Sequence, residues 1–429
     1  MTDTSEPGSA PAEHGWRDLF RAFFHIGVLS FGGPAAQIAL MHRTLVDDRK
    51  WLSEPQFLGA LSFCMLLPGP EAMQLCTYAG WRLKGTLGGL LAGLLFVLPG
   101  ATVMLTLSLI YVLAGDLALV DALFLGVKAA VLAIVLEALL KVSKRALKTT
   151  GSWVIAALAF TGIFFLALPF PLIVLAAAVY GFATARHGDG NPAPAVRVSP
   201  AQTARTIMIW LAVWLLPLAA LFALPDPLLA EIGVFFSKLA VVTFGGAYAV
   251  LAYMAQDVVI HHGWLTAGQM MDGLGLAETT PGPLILVTQF VGFLAAAEAH
   301  GLWFGVIAAG VTLWVTFAPC FLWIFAGAPY VEWIAAQPRL AGALSAITAA
   351  VVGVILNLSV WFALHVLFGE VTRTESGPFV LWLPELATAD PVAVGLAVLS
   401  AVLLLGLHLG VAWTLAIASG LGLLISGLI

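Results

Sequence analysis

The chain has 429 residues, 61% of them hydrophobic and 10% charged, with a mean hydropathy of +1.02 and a formal net charge of -5. That balance excludes an ordinary soluble domain, and so thin and acidic a charge gives no footing for nucleic acid. Several apolar runs are long enough to span a bilayer, so the expectation is an all-α polytopic, multi-pass membrane protein with the lipid bilayer as its solvent.

Residues 1–15 are polar and rich in Ser, Pro and Glu, with no basic start or apolar core. They read as a disordered cytoplasmic tail and not as a signal peptide. The first repeat, 16–185, opens with an apolar segment at 19–41 interrupted at Phe31-Gly32-Gly33-Pro34, followed by a segment at 51–81 broken at Leu67-Pro68-Gly69-Pro70-Glu71. Proline removes a backbone donor and restricts the residue before it, so no helix passes smoothly through the second of these. Apolar segments at 87–113, 117–140, 153–168 and 171–185 complete the repeat. A cytoplasmic linker is expected at 186–205 and an extra transmembrane segment at 206–228. The second repeat, 229–429, brings segments at 229–255, 265–297, 302–326 and 340–368, a polar stretch at 369–390, and a final pair within 392–429. Cys64, Cys76 and Cys320 lie in apolar runs without metal-ligand spacing and read as small core residues.

The two halves match residue for residue over a long stretch. Phe31-Gly32-Gly33, Trp51, Gln56 and Pro68-Gly69-Pro70 recur as Phe244-Gly245-Gly246, Trp264, Gln269 and Pro281-Gly282-Pro283, every one displaced by 213 positions. The chain is therefore an internal duplication, and paired interrupted apolar segments are a sequence pointer to a transport site. Basic residues Arg43, Arg49, Lys50, Arg82, Lys84, Lys141, Lys144, Arg145 and Lys148 mark loops of the first half, whereas the matching loops of the second half hold only Arg373. The positive-inside rule then makes the repeats inverted relative to each other. The arms flanking Pro68-Gly69-Pro70 are each roughly 16 to 22 Å long as helices against a core of about 30 Å, which suits a re-entrant hairpin whose tip meets its counterpart near the midplane.

A helix that starts just after such a break aims free N–H groups and a positive dipole end at it, and so favours an anion. The alternative is that the glycines and prolines serve only close helix packing. His25 and Lys238 occupy equivalent positions six before each Phe-Gly-Gly, and Lys128 lies near the middle of 117–140. Intramembrane cations suit neutralisation of an anionic substrate; snorkelling, pairing with a carboxylate, or a satisfied core histidine are the competing explanations. Glu71 and Glu278 flank the breaks, where either complements a helix dipole or holds a proton that couples transport. Gln37, Gln74, Thr77, Thr279, Thr280, Thr288 and Gln289 supply neutral donors or packing contacts.

On these residues the sequence resembles the chromate ion transporter family in its long, two-domain form. The resemblance rests on Ser30-Phe31-Gly32-Gly33-Pro34, Leu67-Pro68-Gly69-Pro70, the stretch from Gln74 ending in Tyr78-Ala79-Gly80, Gly85, Thr243-Phe244-Gly245-Gly246-Ala247 and Pro281-Gly282-Pro283. It implies export of chromate from the cytoplasm across the cytoplasmic (inner) membrane, driven by the membrane potential or an ion gradient, with chromate resistance as the result. Sulfate or another oxyanion is the alternative, since helix ends and a few cations read charge and shape and not the central atom. A coupled proton or counter-anion would be a further partner, and the sequence leaves room for a homodimer. No nucleotide-binding motif and no converging nucleophile, base or ligand set is present in the sequence, so neither an enzyme nor a cofactor is expected. A membrane scaffold would not explain why both halves keep a helix-breaking sequence. The expected mechanism is alternating access, or an elevator-like shift, around one anion held near Gly69 and Gly282.

Overall fold

Glycine and proline decide where the helices of this chain stop. In the computed structural model, which describes residues 15–114, 118–185, 199–244, 247–335 and 337–427, α1 (Trp16–Leu29) and α2 (Gly33–His42) are separated by three residues at which Gly32 takes φ 83°, open only to glycine without strain. α3 (Glu54–Cys64) ends before the Pro68-Gly69-Pro70 break, where Gly69 has φ 118°. α4 (Glu71–Ala114) then doubles back at Lys84 and Gly85. Its two arms, 71–83 and 86–114, pack so closely that a Cβ on Gly80 would overlap the carbonyl of Gly88. Only the second arm, at ~43 Å, is long enough to cross a bilayer. α5 (Ala118–Ala146), α6 (Thr150–Phe164) and α7 (Phe170–Thr184) close the first half.

α8 (Pro200–Leu221) begins inside the stretch expected to be linker, with Pro200 at its first position, where the missing N–H costs nothing. The second half then repeats the first: α9 (Leu228–Val242), α10 (Ala247–Gln256), α11 (Ala267–Thr279), a break in which Gly282 has φ 90°, α12 (Val287–His300), a reversal at Gly301, and α13 (Leu302–Gly327). The correspondence reaches single hydrogen bonds. A π-helical turn ends both α2 and α10, and the amide of Trp51 donates to Leu45 O (2.8 Å) as that of Trp264 donates to Val258 O (3.0 Å). The repeated glutamines are explained by capping: Gln56 Oε1 accepts from Ser53 N (3.1 Å) and Gln269 Oε1 from Thr266 N (2.8 Å), closing the starts of α3 and α11.

α14 (Val331–Ala335) and α15 (Pro338–Leu367) follow. The stretch at 369–390, expected only as polar, contains a β-hairpin, β1 (Val371–Ser376) against β2 (Phe379–Pro384), turning at Gly377 and tied to the turn after α6 by Val380 N to Phe165 O (2.8 Å). α16 (Pro391–Ala401) and α17 (Val411–Ser426) pack on α5, where Ala122 and Gly126 meet Ala418 and Gly422 at near-backbone contact. Among the described residues, five helices are long and apolar enough to cross a membrane, so the all-α polytopic class holds. The innermost elements are α12 and the first arm of α4: residues 281–297 and 72–80 are buried throughout.

Small residues therefore set helix spacing at the centre. A Cβ on Gly100 would collide with the carbonyl of Pro281, whereas one on Gly310 meets nothing within 4 Å. Gly100→Ala is expected to cost about 1–3 kcal/mol through overpacking, read as a lower thermal unfolding midpoint of the purified protein in detergent, with Gly310→Ala unchanged.

Candidate functional site

Each of the two proline-glycine breaks is fastened to the other half of the chain. Gly69 N donates to Thr243 O (2.8 Å), and Gly282 N donates to Ser30 O (2.9 Å). Ser30 and Thr243 are equivalent residues, each preceding a Phe-Gly-Gly, so the contact is reciprocal. Their hydroxyls are matched as well: Ser30 Oγ donates to Ile26 O and Thr243 Oγ1 to Leu239 O, both at 2.6 Å, which satisfies carbonyls left open by the ends of α1 and α9. Each proline-glycine break is thus paired with the residue before a Phe-Gly-Gly of the other half, where broken backbone would otherwise be unpaired in an apolar core.

Two glutamines strengthen this crossing. Gln37, 2% exposed, donates through Nε2 to Gly282 O (2.6 Å) and more distantly to Ser30 O (3.3 Å). Gln74, fully buried, donates to Pro68 O (2.6 Å). Both Oε1 atoms are buried without a partner among the described residues. The amides of Gly69 and Gly282 are committed to these cross-bonds, and a Cβ on Gly69 would stand 2.8 Å from Gln74 Nε2 and 2.9 Å from Cys320 Sγ. Donors available to an anion are therefore those of the helix starts around the crossing: α2, which has no side-chain cap and whose Phe31, Gly32, Ala35 and Ala36 are exposed, and α4 after Pro70. Gly245 and Gly246, the corresponding pair before α10, lie outside the described residues.

Of the other residues singled out in the sequence, Thr77, Thr279, Thr280 and Thr288 spend their hydroxyls on carbonyls of their own helices or turns, and Gln289 Nε2 reaches Ala101 O (3.1 Å). His25 and Lys238 sit on exposed faces of α1 and α9, away from the buried glycines. Glu71 opens α4, partly exposed, in the first turn where a carboxylate complements the dipole. Glu278, just before the second break, accepts from Tyr248 OH (2.7 Å) in the first turn of α10. Lys128 pairs with Asp272 on α11, Nζ to Oδ2 3.5 Å, and the same Oδ2 accepts from Tyr111 OH (2.9 Å). Asp272, Tyr111 and Tyr248 escaped the sequence reading; the signal for Asp272 was a carboxylate inside an apolar run.

The structure defines an all-α polytopic membrane protein whose two matched sets of helix breaks cross and hydrogen-bond to one another. The chain belongs to the chromate transporter family, whose sequence profile matches residues 17–182 and 230–423. It is 35% identical over 356 residues to the chromate transport protein of Pseudomonas aeruginosa, covering 81% of either chain. Similarity at 31% identity extends over 366 residues to the chromate transport protein of Cupriavidus metallidurans (82% of this chain, 84% of that one). It also extends, at 31% identity, over 346 residues to the probable chromate transport protein of Synechococcus elongatus (79% and 82%). No solved structure gives a significant match.

If the crossing is the working centre, removing one fastening should impair function more than folding. Gln37→Leu leaves Gly282 O short of a donor, worth about 1–3 kcal/mol. We expect anion uptake into vesicles to fall roughly tenfold or more, for which about 1.4 kcal/mol suffices, with the thermal midpoint lowered about as much as in Gly100→Ala, so that the loss of uptake relative to Gly100→Ala at equal yield isolates the functional part.

Proposed function

We propose that this protein is a secondary active transporter that exports chromate across the cytoplasmic membrane and so confers chromate resistance. The observation that carries the reading is the reciprocal pair of main-chain bonds, Gly69 N to Thr243 O and Gly282 N to Ser30 O, at the crossing of duplicated breaks in a member of the chromate transporter family. Together with the basic loops of the first half, this supports two inverted repeats whose short arms enter from opposite sides and meet near the midplane.

In this reading the oxyanion is held by the positive ends of α2 and α4 and their counterparts in the second half, and the crossing is the pivot about which the halves shift. Ser30, Phe31, Gly32, Gly33, Gln74, Thr243 and Phe244 line the region, Pro68, Gly69, Pro70, Pro281, Gly282 and Pro283 hold its shape, and Lys128 and Glu278 contribute charge or coupling, whereas the outward-facing His25 and Lys238 are left out of the site. The coupled species is a proton or a counter-anion. A second reading, transport of sulfate or of oxyanions generally, is supported by the recognition chemistry itself: helix starts and neutral amides sense a tetrahedral dianion and not its central atom.

Uptake of labelled chromate and labelled sulfate into everted vesicles, each competed by the other and repeated with the proton gradient collapsed, separates these readings. Chromate accumulation that resists excess sulfate supports the chromate exporter; equal competition makes the protein a general oxyanion carrier. Absence of uptake for both overturns the transport reading. Replacing the first break by Gly69→Leu with Pro70→Ala is expected to abolish uptake while the protein still inserts.

A further inference from the structure

The ion pair between Lys128 and Asp272 has a geometry that a purely structural pair does not need. Asp272 is 3% exposed, and its Oδ2 carries both of its bonds, to Tyr111 OH and to Lys128 Nζ. Oδ1 is buried without a partner. A proton arriving on Oδ1 therefore breaks neither existing bond. The ammonium of Lys128 is only loosely engaged, at 3.5 Å, and its side chain is 30% exposed.

Lys128 Nζ also lies at the positive end of α11: a Cβ on Gly268, in the first turn, would stand 3.3 Å from it. The capping box of that helix uses the amides of Thr266 and Gln269, through Gln269 Oε1 and Thr266 Oγ1, and leaves those of Ala267 and Gly268 uncapped. A cation beside uncapped amides is a place for an anion, offset by the single charge of Asp272.

We propose that Lys128 and the start of α11 form a second oxyanion station, opened when Asp272 takes up a proton. This deepens the transport reading and rests on the solute being an oxyanion. With Asp272 ionised, its charge answers that of Lys128 and the station is closed. Addition of one proton from solution to Oδ1 makes the carboxyl neutral, keeps Tyr111 on Oδ2, and frees the Lys128 charge for the anion; departure of the proton restores the pair and expels the anion. Proton and anion bind and leave together, and by linkage each tightens the other to the same extent. A dianion moving outward with one proton carries one net negative charge, so an inside-negative membrane potential, and not the proton gradient, drives its export. The charged and titratable groups around Asp272 are Lys128 and Asp121 on α5, Tyr111 on α4, and Glu298 on α12, which accepts from Gln269 Nε2 (2.7 Å). α17 carries none, and those of α15, Arg339 and His365, lie near its two ends. The carboxylates of Asp121 and Glu298 oppose an anion here, so the station depends on neutralising Asp272.

The test is calorimetric titration of the purified full chain with sulfate, whose charge is constant over the range, and with chromate, at about pH 8 and about pH 5.5 in two buffers of different ionisation heat. Roughly tenfold tighter binding at the lower pH with uptake of about one proton per anion is expected. Asp272→Asn should bind without proton uptake and without pH dependence, Asp272→Glu should restore both, and Lys128→Gln should lose the proton-linked binding while keeping the pH-independent binding at the breaks. Wild-type protein that binds oxyanion with equal affinity at both pH values and no proton uptake overturns this inference and leaves the transport reading standing; so does an Asp272→Asn protein that keeps the uptake. Failure of the wild type to bind either anion at either pH overturns both.

Discussion

The constraint on which this structure depends is that broken backbone in an apolar interior must find partners within the protein. The chain answers it by making each break the partner of the other half: Gly69 with Thr243, Gly282 with Ser30. An unsatisfied amide or carbonyl at such depth costs several kcal/mol, so the crossing holds the two halves in register while leaving their remaining contacts to packing. Much of the surrounding architecture serves that approach. Glycine supplies the left-handed φ at Gly69 and Gly282, Gly100 lets the second arm of α4 lie against the carbonyl of Pro281, and Gly93 lies against Thr77 Oγ1 and Phe321. Gln37 and Gln74 then saturate carbonyls that the crossing itself leaves open.

What was legible in the sequence was what local chemistry decides. Proline and glycine announce their own breaks, and the duplication was visible because it preserved them at one offset. The same offset carried Gln56 and Gln269, although their purpose, closing the starts of α3 and α11, emerged only with Ser53 and Thr266 in place. The β-hairpin at 371–384 was passed over because polarity dominated the reading of a stretch whose Val371, Thr372, Thr374, Phe379, Val380 and Trp382 favour strands, with Gly377 as the turn. The reversal of α4 at Lys84 and Gly85, by contrast, falls in the basic loop expected between the segments at 51–81 and 87–113.

The breaks of the candidate site were legible in outline and opaque in their pairings. Lys128 was visible as an unusual cation, but its partner lies in the other half, and Tyr111 joins the same carboxylate across 161 positions of sequence. No local pattern encodes such a meeting; it exists only once α4, α5 and α11 have packed. Conversely, His25 and Lys238 looked equivalent by register and were so, yet their shared position faces outward. The surrounding pattern of α1, exposed at Arg17, Arg21, Phe24 and Val28 and buried at Ala22, Phe23 and Ile26, places His25 on the exposed face.

The two breaks are alike in shape but not in fastening. Gln37 reaches across to Gly282, whereas the residue at its position in the other half is Val250, buried and apolar, which can offer Gly69 nothing similar. If the proposed carrier alternates between two poses related by the two-fold symmetry of its repeats, identical halves would make those poses isoenergetic and equally occupied. One additional buried bond of about 1.4 kcal/mol, lost in one pose and kept in the other, sets a tenfold preference. The duplicated gene product would then have a built-in resting posture, and with it an empty carrier that presents one face to the cell far more often than the other.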